Sequence, residues 1–271
     1  MKKLSKNLLK RSIARLTGKY KISVNGKSFF VKYDPYWENV NNGNWEPKTF
    51  LIFDRYLDKE HSFIDIGSWI GPTVLYGSQL AKKCYAIEPD PVALNILNKN
   101  IELNPRLKNK ISVFDFCINY ESGKTRLGNK NSFGNSMSSM LIDDETAISV
   151  KCLTLQEFIR QNNISDCNFI KIDVEGAEFN ILPSWKEFLN ENKLPIHLSL
   201  HPSLFRTNIS DYAKTIFSVI KCYKNIFDHD GIPLNNEDDF IDFLKKEIKG
   251  ADVLVTDNNY LDLSIINNPS Y

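Results

Sequence analysis

The segment Phe63-Ile64-Asp65-Ile66-Gly67-Ser68-Trp69-Ile70-Gly71 decides the fold of this chain. A short apolar run ends there in an acid and two glycines, and a helical pattern begins at Pro72. A second short strand over residues 84–87 ends in another acid, Glu88. This is the pattern of a strand–helix–strand unit with a glycine-rich first turn and a carboxylate at the tip of the second strand. The sequence therefore predicts a nucleoside-binding unit in which Glu88 accepts hydrogen bonds from ribose hydroxyls.

The spacing of the two glycines indicates which kind of nucleoside cofactor the unit binds, a dinucleotide or S-adenosylmethionine. A dinucleotide site requires G-x-G-x-x-G, with backbone amides and a helix N-terminus turned toward a pyrophosphate. Here the spacing is G-x-x-x-G, and Asp65 precedes the first glycine. A carboxylate at that point repels a pyrophosphate, but it suits a cationic ligand such as the ammonium and sulfonium of S-adenosylmethionine. For this unit taken alone, an ordinary strand-to-helix turn with a solvated Asp65 stays open as the alternative.

A second segment, Ile170-Lys171-Ile172-Asp173-Val174-Glu175-Gly176-Ala177-Glu178, is another strand that ends in acids and a glycine before a helix. With the first segment it resembles the FkbM family of S-adenosylmethionine-dependent methyltransferases, whose I-K-I-D-V-E-G-A-E motif it matches at every position. The family's D-V-G-A-N-x-G is similar to residues 65–71, its E-P-x-P to residues 88–91, and its L-x-x-N-x-x-L-N to residues 97–104. The resemblance extends from about residue 45 to residue 201. It departs at Ser68 and Trp69, which replace Ala-Asn, and at Ser199, where many members carry Glu.

Strand and helix patterns alternate along the chain, including helices over residues 72–82 and 177–190 and a strand over residues 149–153. This alternation predicts a doubly wound α/β sheet with helices on both faces. The resemblance implies the Rossmann-like class I methyltransferase form of that sheet, mostly parallel with an antiparallel C-terminal edge. It also implies S-adenosyl-L-methionine as the cofactor. The residues expected to hold the cofactor are Asp65, Gly67, Ser68, Gly71, Glu88, Pro89 and Asp115, and Asp115 is expected to contact the adenine amino group because it follows the third strand.

Three further residues at strand ends, His201, Asp173 and Glu175, are predicted to act on the methyl acceptor. An alcohol is a poor nucleophile while protonated, so a base within reach helps. His201 is the first candidate, because an ordinary pKa of about 6.5 would leave it neutral at pH 7. Asp173 and Glu175 could instead orient His201 or bind sugar hydroxyls. His197, Asp173, Glu175 and His201 could in principle form a metal site, but no H-x-x-x-H or clustered-carboxylate spacing supports one, so no metal ion is expected.

The resemblance implies methylation of a hydroxyl oxygen on a sugar, a glycan or a secondary metabolite. Two other functions stay open. A nicotinamide-dependent Rossmann oxidoreductase is opposed by the glycine spacing. A catalytically silent module that binds S-adenosylmethionine is kept open by the changes at Trp69 and Ser199.

The composition is that of an ordinary globular chain: 271 residues, 42% hydrophobic and 25% charged. A net charge of +1 gives no reason to expect a nucleic-acid partner, so a small-molecule or glycan acceptor is expected. Five cysteines without a C-x-x-C pair indicate reduced thiols in a cytoplasmic protein. No apolar stretch is long enough for a membrane span.

Residues 1–45 are predicted to form an extension and residues 46–271 the methyltransferase domain. The first 19 residues alternate basic and apolar side chains, which predicts a helix packed on the domain or a frayed tail, with weak peripheral membrane contact as the alternative. Residues 20–33 alternate around Asn25-Gly26, a strong hairpin signal. The serines at 136, 138 and 139, in a Gly-, Ser- and Asn-rich stretch, are expected to be solvated linker, with a cover over the site as the alternative.

Overall fold

The computed structural model describes residues 16–204 and 208–258. The strands, in chain order, are β1 (Tyr20–Val24), β2 (Lys27–Val31), β3 (Ser62–Ile66), β4 (Lys83–Ile87), β5 (Ile111–Phe114), β6 (Cys117–Ile118), β7 (Gly123–Asn129), β8 (Ser138–Ser139), β9 (Ile148–Leu153), β10 (Cys167–Asp173), β11 (Ile196–Leu200), β12 (Asn225–Asp228) and β13 (Ala251–Thr256). The helices are α1 (Tyr36–Asn41), α2 (Pro47–Tyr56), α3 (Pro72–Gly77), α4 (Pro91–Glu102), α5 (Pro105–Lys108), α6 (Leu155–Gln161), α7 (Glu178–Ile181), α8 (Lys186–Asn192), α9 (Ile209–Ile220) and α10 (Glu237–Lys246), with 3-10 turns at Leu182–Trp185 and Pro202–Leu204.

A seven-stranded sheet in the order β5-β4-β3-β10-β11-β13-β12 forms the centre of the fold. The five strands from β5 to β11 are parallel, whereas β13 runs antiparallel to both of its neighbours. Successive residues of a strand point to opposite faces. Ile64 and Ile66 therefore join a core with α9 and α10, while Phe63 joins a second core with α2 and α3. The predicted doubly wound sheet with an antiparallel C-terminal edge is confirmed.

The N-terminal hairpin, predicted from Asn25-Gly26, is formed by β1 and β2 and packs in the second core. Two buried asparagines, one in α4 and one just after it, fix the hairpin in place. Asn104 accepts a hydrogen bond from Phe30 N at 2.8 Å, and Asn100 accepts one from Lys32 N at 2.8 Å. Asn100 also donates to the Ile70 carbonyl at 2.9 Å, so one side chain connects the hairpin to the glycine turn. The predicted basic helix over residues 1–19 lies mostly outside the described residues.

Several elements differ from their predicted forms. Residues 36–45, which have no sequence period, contain α1. The helix predicted over residues 72–82 ends at Gly77 and continues only as turns. The helix predicted over residues 177–190 is interrupted by a 3-10 turn, because Pro183 has no N–H to donate. The strand predicted over residues 149–153 pairs in a separate four-stranded sheet, β6-β9-β7-β8, rather than in the central sheet. In the described parts of the chain, no helix combines the length and apolar character that a membrane span requires.

Candidate active site

A cleft opens where β3, β4 and β10 end, at the carboxyl edge of the sheet. Seven of the ten predicted site residues line it, namely Gly67, Ser68, Glu88, Pro89, Asp173, Glu175 and His201. The other three, Asp65, Gly71 and Asp115, do not. The sheet therefore brings most of the predicted site together, as expected for the carboxyl edge of an open α/β sheet.

The glycine turn brings the two sequence motifs into direct contact. Gly67 has a φ of +81°, and a Cβ atom there would lie 1.7 Å from the Asp173 carbonyl oxygen. No other residue type therefore fits at this position. Gly71 has a φ of +95°, and a Cβ atom would lie 2.5 Å from Leu97 Cδ1. Gly71 thus allows α3 to pack on α4 instead of lining the cleft.

Asp65 lies fully buried behind the cleft wall. Neither of its carboxylate oxygens has a hydrogen-bond partner within the protein. Burial raises the pKa of Asp65 to about 6, while the Lys171 ammonium acts to lower it. A buried carboxylate without a partner is costly, so a cationic group of a ligand would stabilise it. Asp65 does not line the cleft, so it would act on the ammonium group of bound S-adenosylmethionine through its charge rather than by direct contact.

Glu88 is held at the tip of β4 by two backbone donors. Trp69 N donates to Oε2 at 2.7 Å and Asp90 N donates to Oε1 at 2.8 Å. Burial raises the pKa of Glu88 to about 8, and these two amides act to lower it. Each carboxylate oxygen has a further lone pair, so Glu88 is able to accept both hydroxyls of a ribose.

Trp69 occupies the position at which the family motif has Asn. Its backbone has a φ of +45°, which is uncommon for a residue other than Gly. The indole packs edge-on against Tyr36 with ring centroids 4.4 Å apart, and Nε1 donates to the Gly134 carbonyl at 2.9 Å. Trp69 therefore connects the glycine turn both to α1 and to the segment between β7 and β8.

That segment forms one wall of the cleft through residues 135, 136 and 138–140. Asp90 fixes it: Oδ2 accepts from Gly134 N at 2.7 Å and from Ser138 Oγ at 2.6 Å, while Oδ1 caps α4. Ser139 Oγ donates to the Glu175 carbonyl at 2.7 Å. The prediction of a solvated linker is therefore wrong for Ser138 and Ser139, because both hydroxyls bond to the motif turns.

Asp115 is exposed after β5 and stays outside the cleft. The chain turns at this point, and β6 begins at Cys117 to pair with β9. Cys117 and Ile118 line the cleft instead. The structure therefore does not place Asp115 where it was expected to contact an adenine.

His201 lies among three carboxylates. Its Nε2 is 3.9 Å from Asp173 Oδ1 and 3.8 Å from Glu175 Oε1, and its Nδ1 is 3.7 Å from Glu178 Oε1. Burial would lower the pKa of His201, but Glu178, Asp173 and Glu175 raise it to about 10. The expectation of a neutral imidazole at pH 7 is wrong, because the sequence does not reveal that the three acids surround the ring.

The acids of this cluster differ in their proton affinity. Burial would raise the pKa of Asp173, but Lys171 and His201 hold it below its ordinary value. Lys171 is itself buried and lies 3.1 Å from Asp173 Oδ2. Burial raises the pKa of Glu175 to about 7, with His201 opposing the shift. Glu175 is therefore the acid of the cluster that changes charge near neutral pH.

The ligand atoms of Asp173, Glu175 and His201 all lie within 4.8 Å of one another. Within residues 16–204 and 208–258, this is the one group of three with the spacing of a metal site. These three residues belong to the set that, with His197, could in principle form a metal site, although they come from two strand ends with no recognised ligand spacing.

Two residues of the cleft wall, Trp45 and Glu46, were not predicted from the sequence. They come from the stretch before α2, which has no periodicity to indicate its position. Lys171 also lines the cleft, although it was not among the predicted site residues. It could have been found from the sequence, because it lies in the middle of an apolar strand and a buried lysine requires a partner.

Three solved structures are similar to this chain. The methyltransferase FkbM from Methylobacillus flagellatus KT is 15% identical, with 82% of this chain and 55% of that chain covered and a TM-score of 0.46. The SAM-dependent methyltransferase from Agrobacterium tumefaciens is 10% identical, with 89% and 70% covered and a TM-score of 0.45. Trm5 from Methanocaldococcus jannaschii, solved with adenosine, is 13% identical, with 89% and 56% covered and a TM-score of 0.41. The chain thus spans little more than half the length of the first and the third.

No curated protein sequence matches the chain at a significant level. The profile of the methyltransferase FkbM domain matches residues 65–221, which is more than half of the chain. The matched segment contains the glycine turn, Glu88 and the cluster around His201. S-adenosylmethionine is accordingly the cofactor, and the orphaned Asp65 carboxylate and the Glu88 carboxylate fit its charge and its ribose. The chain belongs to the FkbM family of S-adenosylmethionine-dependent methyltransferases.

Proposed function

We propose that this chain methylates a hydroxyl oxygen of a sugar, a glycan or a secondary metabolite. The observation that supports this is the cluster of Asp173, Glu175 and His201 on the cleft wall, directly beside the Gly67 turn. An alcohol must lose its proton when it attacks, and a group that both binds the oxygen and takes the proton promotes the reaction. The acids of this cluster can take the proton, and the charged imidazole can bind the oxygen.

Glu175 is the proposed proton acceptor and His201 the proposed donor to the acceptor oxygen. S-adenosylmethionine, when bound, supplies the electrophilic methyl group. Burial raises the pKa of Glu175 to about 7, which matches a base that works at neutral pH. The charged His201 stabilises negative charge as it develops on the oxygen. Asp173 is held by Lys171 at 3.1 Å and orients the imidazole.

The cofactor contacts are proposed as follows. Glu88 and Pro89 bind the ribose side, and Gly67 and Ser68 follow the methionine portion, with Asp65 behind them acting on the ammonium through its charge. The apolar pair Cys117 and Ile118 lines the cleft beyond Glu88 and suits the adenine better than the exposed Asp115.

The acceptor is proposed to be a small molecule or glycan, and the setting to be cytoplasmic. All five cysteines are free thiols, and three of them are buried, which supports a reducing environment.

Two measurements test the proposal. Calorimetry with S-adenosylmethionine and, separately, with NAD should give binding only to the first. Incubation with hydroxyl-bearing acceptors should then yield S-adenosylhomocysteine in amounts equal to the methylated product. Binding of NAD would favour the oxidoreductase alternative. Binding of S-adenosylmethionine with no turnover on any acceptor would favour the silent module.

A further inference from the structure

Glu46 stands on the cleft wall and comes from outside the segment that the family profile matches. We propose that Glu46 selects the acceptor, and that its carboxyl group binds a hydroxyl of an uncharged, polyhydroxylated molecule. This inference rests on the proposed transfer to a hydroxyl. It adds a chain-specific contact that neither sequence motif supplies.

The backbone of Glu46 is strained at this position. Its φ of +37° and ψ of +51° lie in the left-handed region, and it directly precedes Pro47, where that conformation is further restricted. Of the six described residues other than Gly with positive φ, three line the cleft: Glu46, Trp69 and Glu175. Such strain persists where the surrounding structure maintains it, and it concentrates at binding sites.

The side chain of Glu46 is fixed on one side only. The buried Thr49 hydroxyl donates to Oε2 at 3.1 Å, which leaves Oε1 for a ligand. The neighbouring Trp45 contributes an aromatic face to the same wall. A carboxyl group beside an aromatic face matches a sugar-like ring, which has apolar C–H faces and hydroxyl edges.

One polar atom close to Glu46 lacks a hydrogen-bond partner. Tyr36 Oη has none in the protein, and Tyr36 is close enough to Glu46 to interact with its charge. Asp252 also interacts with Glu46, but its Oδ1 lies 3.5 Å from His197 Nε2. Buried polar groups are normally paired, so the Tyr36 hydroxyl beside Glu46 indicates a place for a further polar partner.

The same wall disfavours an anionic acceptor. Among the described residues that line the cleft, the cationic side chains are Lys171 and His201. Lys171 is paired with Asp173 at 3.1 Å, and His201 lies within 3.9 Å of three carboxylates. A phosphate would find no free cation there, because the other ionisable groups on this wall, Glu46, Glu88 and Glu175, are all acids. Hydroxyl groups, which both donate and accept, match these oxygens.

The test measures transfer of a labelled methyl group from S-adenosylmethionine to the small molecules of a cell extract. The cells are those whose genome encodes this chain, and the extract is first separated on an anion-exchange resin. The probes are the retained, anionic fraction and the unretained fraction of small molecules. The variants are Glu46→Gln and Glu46→Gly, with Asn163→Gly as the control, because Asn163 has a φ of +50° but lies outside the cleft.

We expect label in the unretained fraction. Burial raises the pKa of Glu46 to about 8, so its carboxyl group carries a proton near neutral pH. Glu46→Gln should reduce the transfer of label by about fivefold, the loss of one uncharged hydrogen bond. The Kd for S-adenosylmethionine should stay within about twofold. Glu46→Gly should lose transfer in the same way without a fall in Tm, because glycine relieves the left-handed strain. Asn163→Gly should leave transfer unchanged.

Three outcomes would overturn the proposal. Label mainly in the retained fraction would contradict the charge argument while leaving hydroxyl methylation intact. Transfer within about twofold of wild type in both Glu46 variants would remove Glu46 from acceptor binding. An absence of label in both fractions, from a protein that binds S-adenosylmethionine in calorimetry, would refute this inference and the proposed function together.

Discussion

At the scale of single residues, two carboxylates of similar sequence context have opposite surroundings. Glu88 is buried, bonded by two backbone amides and lines the cleft. Asp115 is exposed and does not line the cleft. The loss of a carboxylate affects ligand binding only where the carboxylate contacts the ligand. Substitutions of Glu88 and Asp115 therefore distinguish a residue that contacts the cofactor from one that does not.

Glu88→Ala should weaken S-adenosylmethionine binding by about tenfold, because two hydrogen bonds to the ribose, each about 0.5–1.5 kcal/mol, are lost. Asp115→Asn is the matched control and should change the Kd by less than about twofold. Calorimetry of both variants, with circular dichroism to confirm folding, measures the difference. Equal effects in the two variants would place the ribose elsewhere.

The charges around His201 also determine how the rate depends on pH. If Glu175 takes the proton, the rate rises through its pKa of about 7. If the protonated His201 is needed, the rate falls again through its pKa of about 10. A bell-shaped profile is therefore expected, in contrast to the single rise that a neutral histidine base would give.

Two variants test the rising and the falling part of the pH–rate profile separately. Glu175→Gln should remove the rise and lower the rate by about 10²-fold or more, and His201→Gln should remove the fall. Glu187→Gln, an exposed acid on α8, serves as the control. A wild-type rate that continues to rise above pH 10 would rule out the charged imidazole as a participant.

At the scale of elements, the hairpin and the glycine turn are joined through one residue of α4. Asn100 is fully buried and bonds both Lys32 N and the Ile70 carbonyl. Its neighbour Asn98 lies on the exposed face of the same helix. The two asparagines of the family motif, Asn100 and Asn104, thus have a structural explanation, because their side chains accept hydrogen bonds from backbone N–H groups in and next to β2.

Asn100→Ala should lower the free energy of unfolding by about 2–4 kcal/mol, because two buried backbone groups lose their partners. It should also weaken cofactor binding through the Ile70 turn. Asn98→Ala should change either quantity little. Urea unfolding and calorimetry provide the two measurements, and a cost below about 0.5 kcal/mol would show that water replaces the side chain.

At the scale of the whole molecule, the central sheet could be predicted because its signals are local. The spacing of Gly67 and Gly71 and the acid at Glu88 lie within a single strand–helix–strand unit. The cleft walls could not be predicted in the same way. Glu46 and the segment containing Ser138 reach the site through contacts distant in sequence, and the charge of His201 depends on acids of residues 173–178, which follow a different strand.

The shifted pKa values also predict how stability depends on pH. The pKa of folded His201 is about 10 against an ordinary 6.5, so its contribution is complete below pH 6.5 and is lost as pH rises through 10. For Glu88 the folded value is about 8 against an ordinary 4.5, so its contribution is lost over pH 4.5 to 8. Stability of the ligand-free protein should therefore fall from mildly acidic to alkaline pH.

Thermal unfolding over this pH range provides the check. The fall between pH 6.5 and 10 should be shallower in His201→Gln than in wild type. His61→Gln, at an exposed histidine far from the cleft, should not alter the slope. Parallel curves for wild type and His201→Gln would show that the carboxylates around the ring do not hold its proton.

The central claim is that a hydroxyl oxygen receives the methyl group in this cleft. Its most direct test is the carbon NMR spectrum of the product formed from S-adenosylmethionine carrying a ¹³C-labelled methyl group, with wild type and Glu175→Gln compared. We expect a methyl signal bonded to oxygen in the wild-type reaction, and its loss or strong reduction in the variant. A methyl group on nitrogen or carbon, or an oxygen-bonded signal of equal strength in the two reactions, would contradict it.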